Sequence, residues 1–131
     1  MNDLSKRKVG TVKEITSLSN PIIKDIKSLT QKKNRDASNK FIAEGLKLVI
    51  DAIDRGWEIE ILIYAKAAAQ KDIVQKTAAK VVANSGLVLE VTEKVLTSIT
   101  RRDNPQMVVG VFKQKNPSYL VRGIRYGQVI S

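Results

Sequence analysis

Between residues 41 and 112 the chain alternates short β-branched apolar runs with stretches whose apolar residues recur at helical spacing, and no other feature constrains the fold as tightly. Phe41-Ile42-Ala43 reads as a brief strand ending at Glu44-Gly45. Leu46 to Asp54 follows as a helix, with Leu48, Val49, Ala52 and Ile53 inward and Gly56 placed to stop it. Ile59 to Tyr64 is a second strand. Ala67 to Ala83 is a longer helix with Ile73, Val74, Thr77, Ala78, Val81 and Val82 on one side, stopped by Asn84-Ser85-Gly86. Leu87 to Val91 is a third strand, Thr92 caps a short helix reaching about Ile99, and Met107 to Phe112 is a further strand. This repetition specifies an α/β fold: a three-layer α/β/α domain with a mostly parallel sheet over about residues 40–114.

Ahead of that domain lies a basic arm, residues 1–39, and behind it a short basic tail, residues 115–131. The first dozen residues read as a flexible lead-in. Asn20 then supplies a capping side chain and Pro21 suits the first helical position, so a helix is predicted over about 20–32. Ile22, Ile23, Ile26 and Leu29 form its narrow apolar face, with Lys24 and Lys27 on the other side. Lys33 would fall on the apolar face, so the helix ends near Lys32, and Lys32 to Lys40 is predicted to be a polar loop.

Composition narrows the chemistry. The 131 residues suffice for one domain of ordinary size. Cysteine and histidine are both absent, which removes disulfides, thiolate metal sites, Ser–His and Cys–His nucleophile pairs and nearly all zinc chemistry. Neither a G-x-x-x-x-G-K-[ST] nor a G-x-G-x-x-G run occurs, so no nucleotide phosphate cradle is indicated. No run of apolar residues is long enough to span a membrane, and no secretory signal stands at the N-terminus, so a cytoplasmic location is expected.

Charge is the positive signal. Lys and Arg number 23 against 13 Asp and Glu, a formal net charge of +10. Residues 1–40 carry +6 of this, residues 41–114 only +1, and residues 115–131 the remaining +3. Clustered cations attract polyanions because neutralising phosphates releases condensed counterions. The ordinary alternative is a soluble surface with a lysine surplus.

Three constellations could carry that recognition. Arg101-Arg102-Asp103-Asn104-Pro105-Gln106 joins a helix to a strand and offers two guanidiniums and two carboxamides, suited to phosphates or splayed bases. Equally, it is a polar turn whose arginines pair with Glu90, Glu93 or Asp103. Glu44-Gly45 opens a helix, where glycine allows an unusual backbone angle or a close approach; a structural role is the simpler one. The third is the arm, with Asn20, Lys24, Lys27, Lys32, Lys33, Arg35 and Lys40 spaced to follow a phosphodiester chain. The candidate RNA-binding set is therefore Asn20, Lys24, Lys27, Lys32, Lys33, Arg35, Lys40, Glu44, Arg101, Arg102, Asn104 and Gln106, with no catalytic, cofactor or metal residue.

In order, Ile15-Thr16-Ser17-x-x-Asn20-Pro21-x-x-Lys24, Lys33-x-Arg35, Phe41-x-x-Glu44-Gly45 and Arg102-Asp103-Asn104-Pro105-Gln106 before a valine-rich strand resemble the N-terminal substrate-binding domain of the SpoU (TrmH-like) RNA ribose 2′-O-methyltransferases. The resemblance covers about residues 13–114. It implies an α/β/α fold similar to ribosomal RNA-binding proteins, ahead of a knotted catalytic domain that binds S-adenosylmethionine and dimerises. Two departures stand out. Met107 occupies a position that is glycine in many members, and the catalytic half, with its Asn–Arg motif, Gly-x-Glu motif and cofactor loop, is missing. Gly56-Trp57-Glu58 matches the second of these motifs only by chance.

The expectation is an RNA-recognition domain for rRNA or tRNA, inactive alone, with S-adenosylmethionine implied only for the absent domain and neither DNA nor a membrane as partner. The alternative is a self-sufficient RNA-binding or ribosome-associated protein of the same fold. Oligomeric state stays open, because the family's dimer surface belongs to the catalytic half.

Overall fold

The computed structural model describes residues 10–100 and 107–113. Five strands, β1 (Thr11–Ile15), β2 (Lys40–Glu44), β3 (Glu58–Ala65), β4 (Leu87–Val91) and β5 (Val108–Lys113), form one sheet in the order β1-β4-β3-β5-β2. β1, β4 and β3 run parallel, whereas β5 is antiparallel to both β3 and β2. Reversing twice, β2 runs with β3, so β5 alone opposes the common direction. The expected mostly parallel sheet holds in that sense.

Alternation along the strands sorts side chains to two faces. Phe41, Leu62, Tyr64, Val88, Val108 and Phe112 lie on one, packed against Val49 and Ala52 of α3 (Leu46–Asp54) and Val74, Ala78 and Val81 of α4 (Asp72–Ala83). Ile63, Ala65, Leu89, Val91, Val109 and Val111 lie on the other, packed against Ile23 and Ile26 of α1 (Pro21–Ser28) and Val95, Leu96 and Ile99 of α5 (Glu93–Thr100). Helices thus cover both faces, as expected for a three-layer α/β/α fold. Gly110 sits where α3 crosses the sheet; a Cβ there would meet Val49 Cγ2 at 3.1 Å and the Phe112 ring at 2.8 Å. Its missing side chain lets helix and sheet approach.

Local signals account for the helix starts. Asn20 Oδ1 accepts from the Ile22 amide at 2.8 Å, with Pro21 in the first helical position. Thr92 Oγ1 accepts from the Val95 amide at 3.2 Å and caps α5. Gly45 begins α3 at φ 111°, a backbone angle that favours glycine, so its role at this turn is conformational.

The structure departs from the sequence reading in four places. The segment expected to be a polar loop forms a helix, α2 (Lys32–Ser38), and α1 ends earlier, at Ser28. α2 buries no residue, so it has no apolar period to betray it. Polar contacts hold it instead: Asn34 Nδ2 donates to the Ser28 carbonyl at 3.0 Å and Arg35 to the Leu29 carbonyl at 3.0 Å, and Asn39 closes it in the left-handed conformation at φ 58°. Thr11–Ile15, which overlaps the expected flexible lead-in, is an edge strand paired to β4; only Ile15 is buried, so backbone pairing and not an apolar face defines it. The helix expected from Ala67 begins at Asp72, after a 3₁₀ turn over Lys66–Ala68. Finally, Ile73 is 45% exposed rather than inward.

Candidate nucleic-acid interface

Since β1 to β4 share a direction, their carboxyl ends line one edge of the sheet. Ile15, Val91 and Ala65 stand in register there, and the helices that follow the four strands in the chain begin from this edge. Open α/β sheets bind ligands outside the carboxyl ends of their strands, where loops and helix N-termini present free N–H groups. β5 begins at the same edge. The Gly45 amide donates to the Val108 carbonyl at 2.7 Å and the Ala65 amide to the Met107 carbonyl at 3.0 Å. The start of β5 is thus held on both sides, Met107 by the end of β3 and Val108 by the residue after β2.

The candidate residues divide between the two edges. Asn20, Lys24 and Glu44 belong to the carboxyl edge: Asn20 as the cap of α1, Lys24 exposed on its first turn, Glu44 half-buried at the end of β2. Arg101, Arg102, Asn104 and Gln106 lie outside the described residues. Lys32, Lys33, Arg35 and Lys40 gather at the opposite, amino edge, on α2 and at the start of β2, with Lys27 on the last turn of α1.

Several of these cations are engaged internally. Lys40 Nζ lies 2.9 Å from Glu60, which Lys113 also approaches at 3.5 Å. Lys32 pairs with Asp36 at 2.9 Å, and Arg35 holds the end of α1 through the Leu29 carbonyl. Lys24, Lys27 and Lys33 carry no such pair among the described residues. Sequence reasoning overlooked Lys71, Lys76 and Lys80, which are exposed at and along α4 and lack a carboxylate partner among the described residues. Their signal was the i, i+4 spacing of Lys76 and Lys80 on a helix whose other side is apolar.

Beside the carboxyl edge, Glu14, Glu90 and Tyr64 stand in one row across β1, β4 and β3. Tyr64 Oη donates to Glu90 Oε1 at 3.3 Å, and Lys66 pairs with Glu14. Burial raises the Tyr64 hydroxyl pKa above 10.0; Gln75 opposes this by hydrogen bonding, and the Glu90 charge and hydrogen bond add to it. Lys66 is raised by its bond to Glu14 and Lys113 by the charge of Glu58. The folded chain thus keeps protons that the unfolded chain releases above about pH 10, and stability falls as pH rises through that window. Urea unfolding at pH 8 and about pH 11 should show this loss, and Tyr64→Phe should make it smaller. An unchanged loss in Tyr64→Phe would contradict the assignment.

Among the described residues no cluster of His, Cys, Asp or Glu could hold a metal ion, and no helix is long and apolar enough to cross a membrane. Gly56-Trp57-Glu58, which matches the Gly-x-Glu pattern by chance, has structural contacts instead. Gly56 ends α3 at φ 88°, Trp57 packs edge-on against Phe41 and Glu58 pairs with Lys113 at 3.4 Å, all at the amino edge.

Over residues 20–110 the sequence matches the family described as MRM3-like substrate binding domain. The chain belongs to that family. This MRM3-like domain is also similar to a solved rRNA methyltransferase from Sinorhizobium meliloti, with 62% identity and a TM-score of 0.71 over 79% of this chain and 38% of that one. A solved RNA 2′-O ribose methyltransferase matches at 29% identity and a TM-score of 0.67, again over 79% and 38% of the two chains. The SpoU methyltransferase AviRb from Streptomyces viridochromogenes, solved with AdoMet, is 16% identical with a TM-score of 0.63 over 74% and 36%, and shows the fold alone. No curated protein sequence matches. The MRM3-like domain spans little more than a third of the length of each solved relative.

Proposed function

We propose that this domain is the RNA-recognition part of a ribose 2′-O-methyltransferase acting on rRNA or tRNA in the cytoplasm, and that it grips structured RNA at the carboxyl edge of its sheet. The observation that carries this reading is the pairing of Gly45 with Val108 at 2.7 Å. It joins the end of the Phe41–Gly45 motif to the start of β5, the strand that comes after the Arg101–Gln106 segment in the chain, and this supports a reading in which both motifs serve one edge. Lys24 adds a cation on the same side, and Lys27 and Lys33 extend the positive field toward the amino edge. Arg101 and Arg102 contact phosphates as bidentate donors, and Asn104 and Gln106 read base or ribose edges.

Methyl transfer, and S-adenosylmethionine with it, belongs in this reading to the part of the relatives outside the match. This chain binds and orients the substrate, and no transfer step is assigned to its residues. Fluorescence anisotropy with a structured rRNA fragment tests the proposal. For about four phosphate contacts, affinity should fall roughly 50-fold to 150-fold between about 50 and 200 mM salt, the larger figure for contacts to paired RNA. Binding that does not change with salt would remove the electrostatic basis of the reading.

A further inference from the structure

On the face covered by α1 and α5, a groove of about 520 Å³ opens between α1, α2 and the amino-edge half of the sheet. Its floor is apolar, formed by Ile22 and Ile26 of α1, Ile61 of β3 and Val111 of β5. Its rim is polar, and the donors on that rim are already engaged. Ser28 Oγ donates to the Asp25 carbonyl at 2.6 Å and Ser38 Oγ to the Asn34 carbonyl at 2.8 Å. Asn34 Nδ2 donates to the Ser28 carbonyl at 3.0 Å, and Lys40 Nζ faces Glu60 at 2.9 Å.

Apart from the further N–H groups of Lys40, acceptors are what this leaves: the Asp25 carboxylate, Asn34 Oδ1 and the lone pairs of two hydroxyls. Asp25 forms no side-chain ion pair or hydrogen bond among the described residues, although it sits on a basic helix. An apolar floor beneath an acceptor rim selects a flat body whose edge carries donors. Guanine has adjacent N1–H and N2–H groups on one edge, the arrangement a single carboxylate accepts through two parallel hydrogen bonds; adenine and cytosine present only one donor group there. Lys27 on the last turn of α1 and Lys33 on α2, one on each flanking helix, supply cations for the adjoining phosphates.

We propose that the groove takes one unpaired guanosine of the bound RNA, with the Asp25 carboxylate on its N1–H and N2–H edge. This rests on the RNA-binding reading but concerns a different surface, since the groove lies between α1, α2 and the sheet and nears the carboxyl edge only at Ile22.

The test uses the full chain and three bulged rRNA stem–loops that differ only in the unpaired base, which is guanosine, inosine or adenosine. Inosine lacks the N2 amino group and should bind about tenfold more weakly, for one lost charge-assisted bond; adenosine should bind more weakly still, because it keeps one donor but turns its N1 lone pair toward the second carboxylate oxygen. Asp25→Asn should bring the three within about threefold of each other while leaving thermal unfolding unchanged. Equal affinities in the unaltered chain, or discrimination that survives in Asp25→Asn, would overturn the guanosine site. If binding to all three still weakens with salt, that result leaves the carboxyl-edge reading standing. Titration with 5′-GMP and with free arginine, followed at the Leu29 and Val111 methyls by NMR, separates the sources. Shifts with arginine alone would assign the groove to a cationic side chain and refute the proposal, whereas GMP shifts that Asp25→Asn abolishes support it.

Discussion

Phe41→Ala should lower the unfolding free energy by about 3–5 kcal/mol, the largest stability effect expected of any single substitution in the described core. Phe41 has no exposed surface. Its ring stacks on Phe112 at 5.4 Å, across the β2–β5 pair, and meets Trp57 edge-on at 5.3 Å. Removing it leaves a cavity bounded by strand backbone and two large rings, which close only in part, and forfeits two aromatic pairs worth about 0.5–1.5 kcal/mol each. Domains of this size are stable by roughly 5–15 kcal/mol, so the loss is a large fraction of the whole. The melting midpoint should drop by roughly 10–20 °C in calorimetry. Ile73→Ala is the control: that side chain is 45% exposed, and its loss should cost under about 1 kcal/mol. Comparable losses in the two variants would show that the aromatic cluster is not the centre of this core.

Arg101→Ala with Arg102→Ala should weaken binding of a structured rRNA fragment by more than about a hundredfold while leaving the melting midpoint unchanged. Each guanidinium contributes a charge-assisted bond to phosphate worth about 1.5–3 kcal/mol, and 1.4 kcal/mol is a factor of ten in affinity. The slope of log affinity against log salt should also fall, by about one unit for each phosphate contact removed. If the double variant melts substantially lower instead, the arginines are structural and pair with carboxylates of their own chain. Replacing Lys40 alone should do far less to RNA affinity, because its charge already faces Glu60 at 2.9 Å.

Much of the fold was legible because burial writes periodicity into sequence. α3 was read over Leu46–Asp54, with the same bounds that it has in the structure, and β4 over Leu87–Val91 likewise. α3 buries one side, which sets its apolar residues at helical spacing, whereas β4 buries residues on both faces of the sheet and so reads as a short continuous apolar run. Caps were legible for a related reason. The side chains of Asn20 and Thr92 bond amides two or three residues away, an interaction set by local sequence alone. α2 and β1 escaped because neither has a buried face: the first is held by side-chain bonds to the end of α1, the second by backbone pairing to β4.

Sequence by itself determined the α/β class, most element bounds, the positive charge and the family motifs in their order, since each depends on residue type and on neighbours along the chain. Only the tertiary structure decided that the basic residues divide between two edges, with Lys24 at one and Lys33 at the other, and that Lys40 is neutralised by Glu60, a partner twenty positions away. Only it revealed the groove in which Asp25 stands without a side-chain partner among the described residues. The reason is physical: a pattern of charges and apolar residues fixes what each element must bury, but which ionic groups meet across space depends on sheet order and register, and these are settled only when the layers pack.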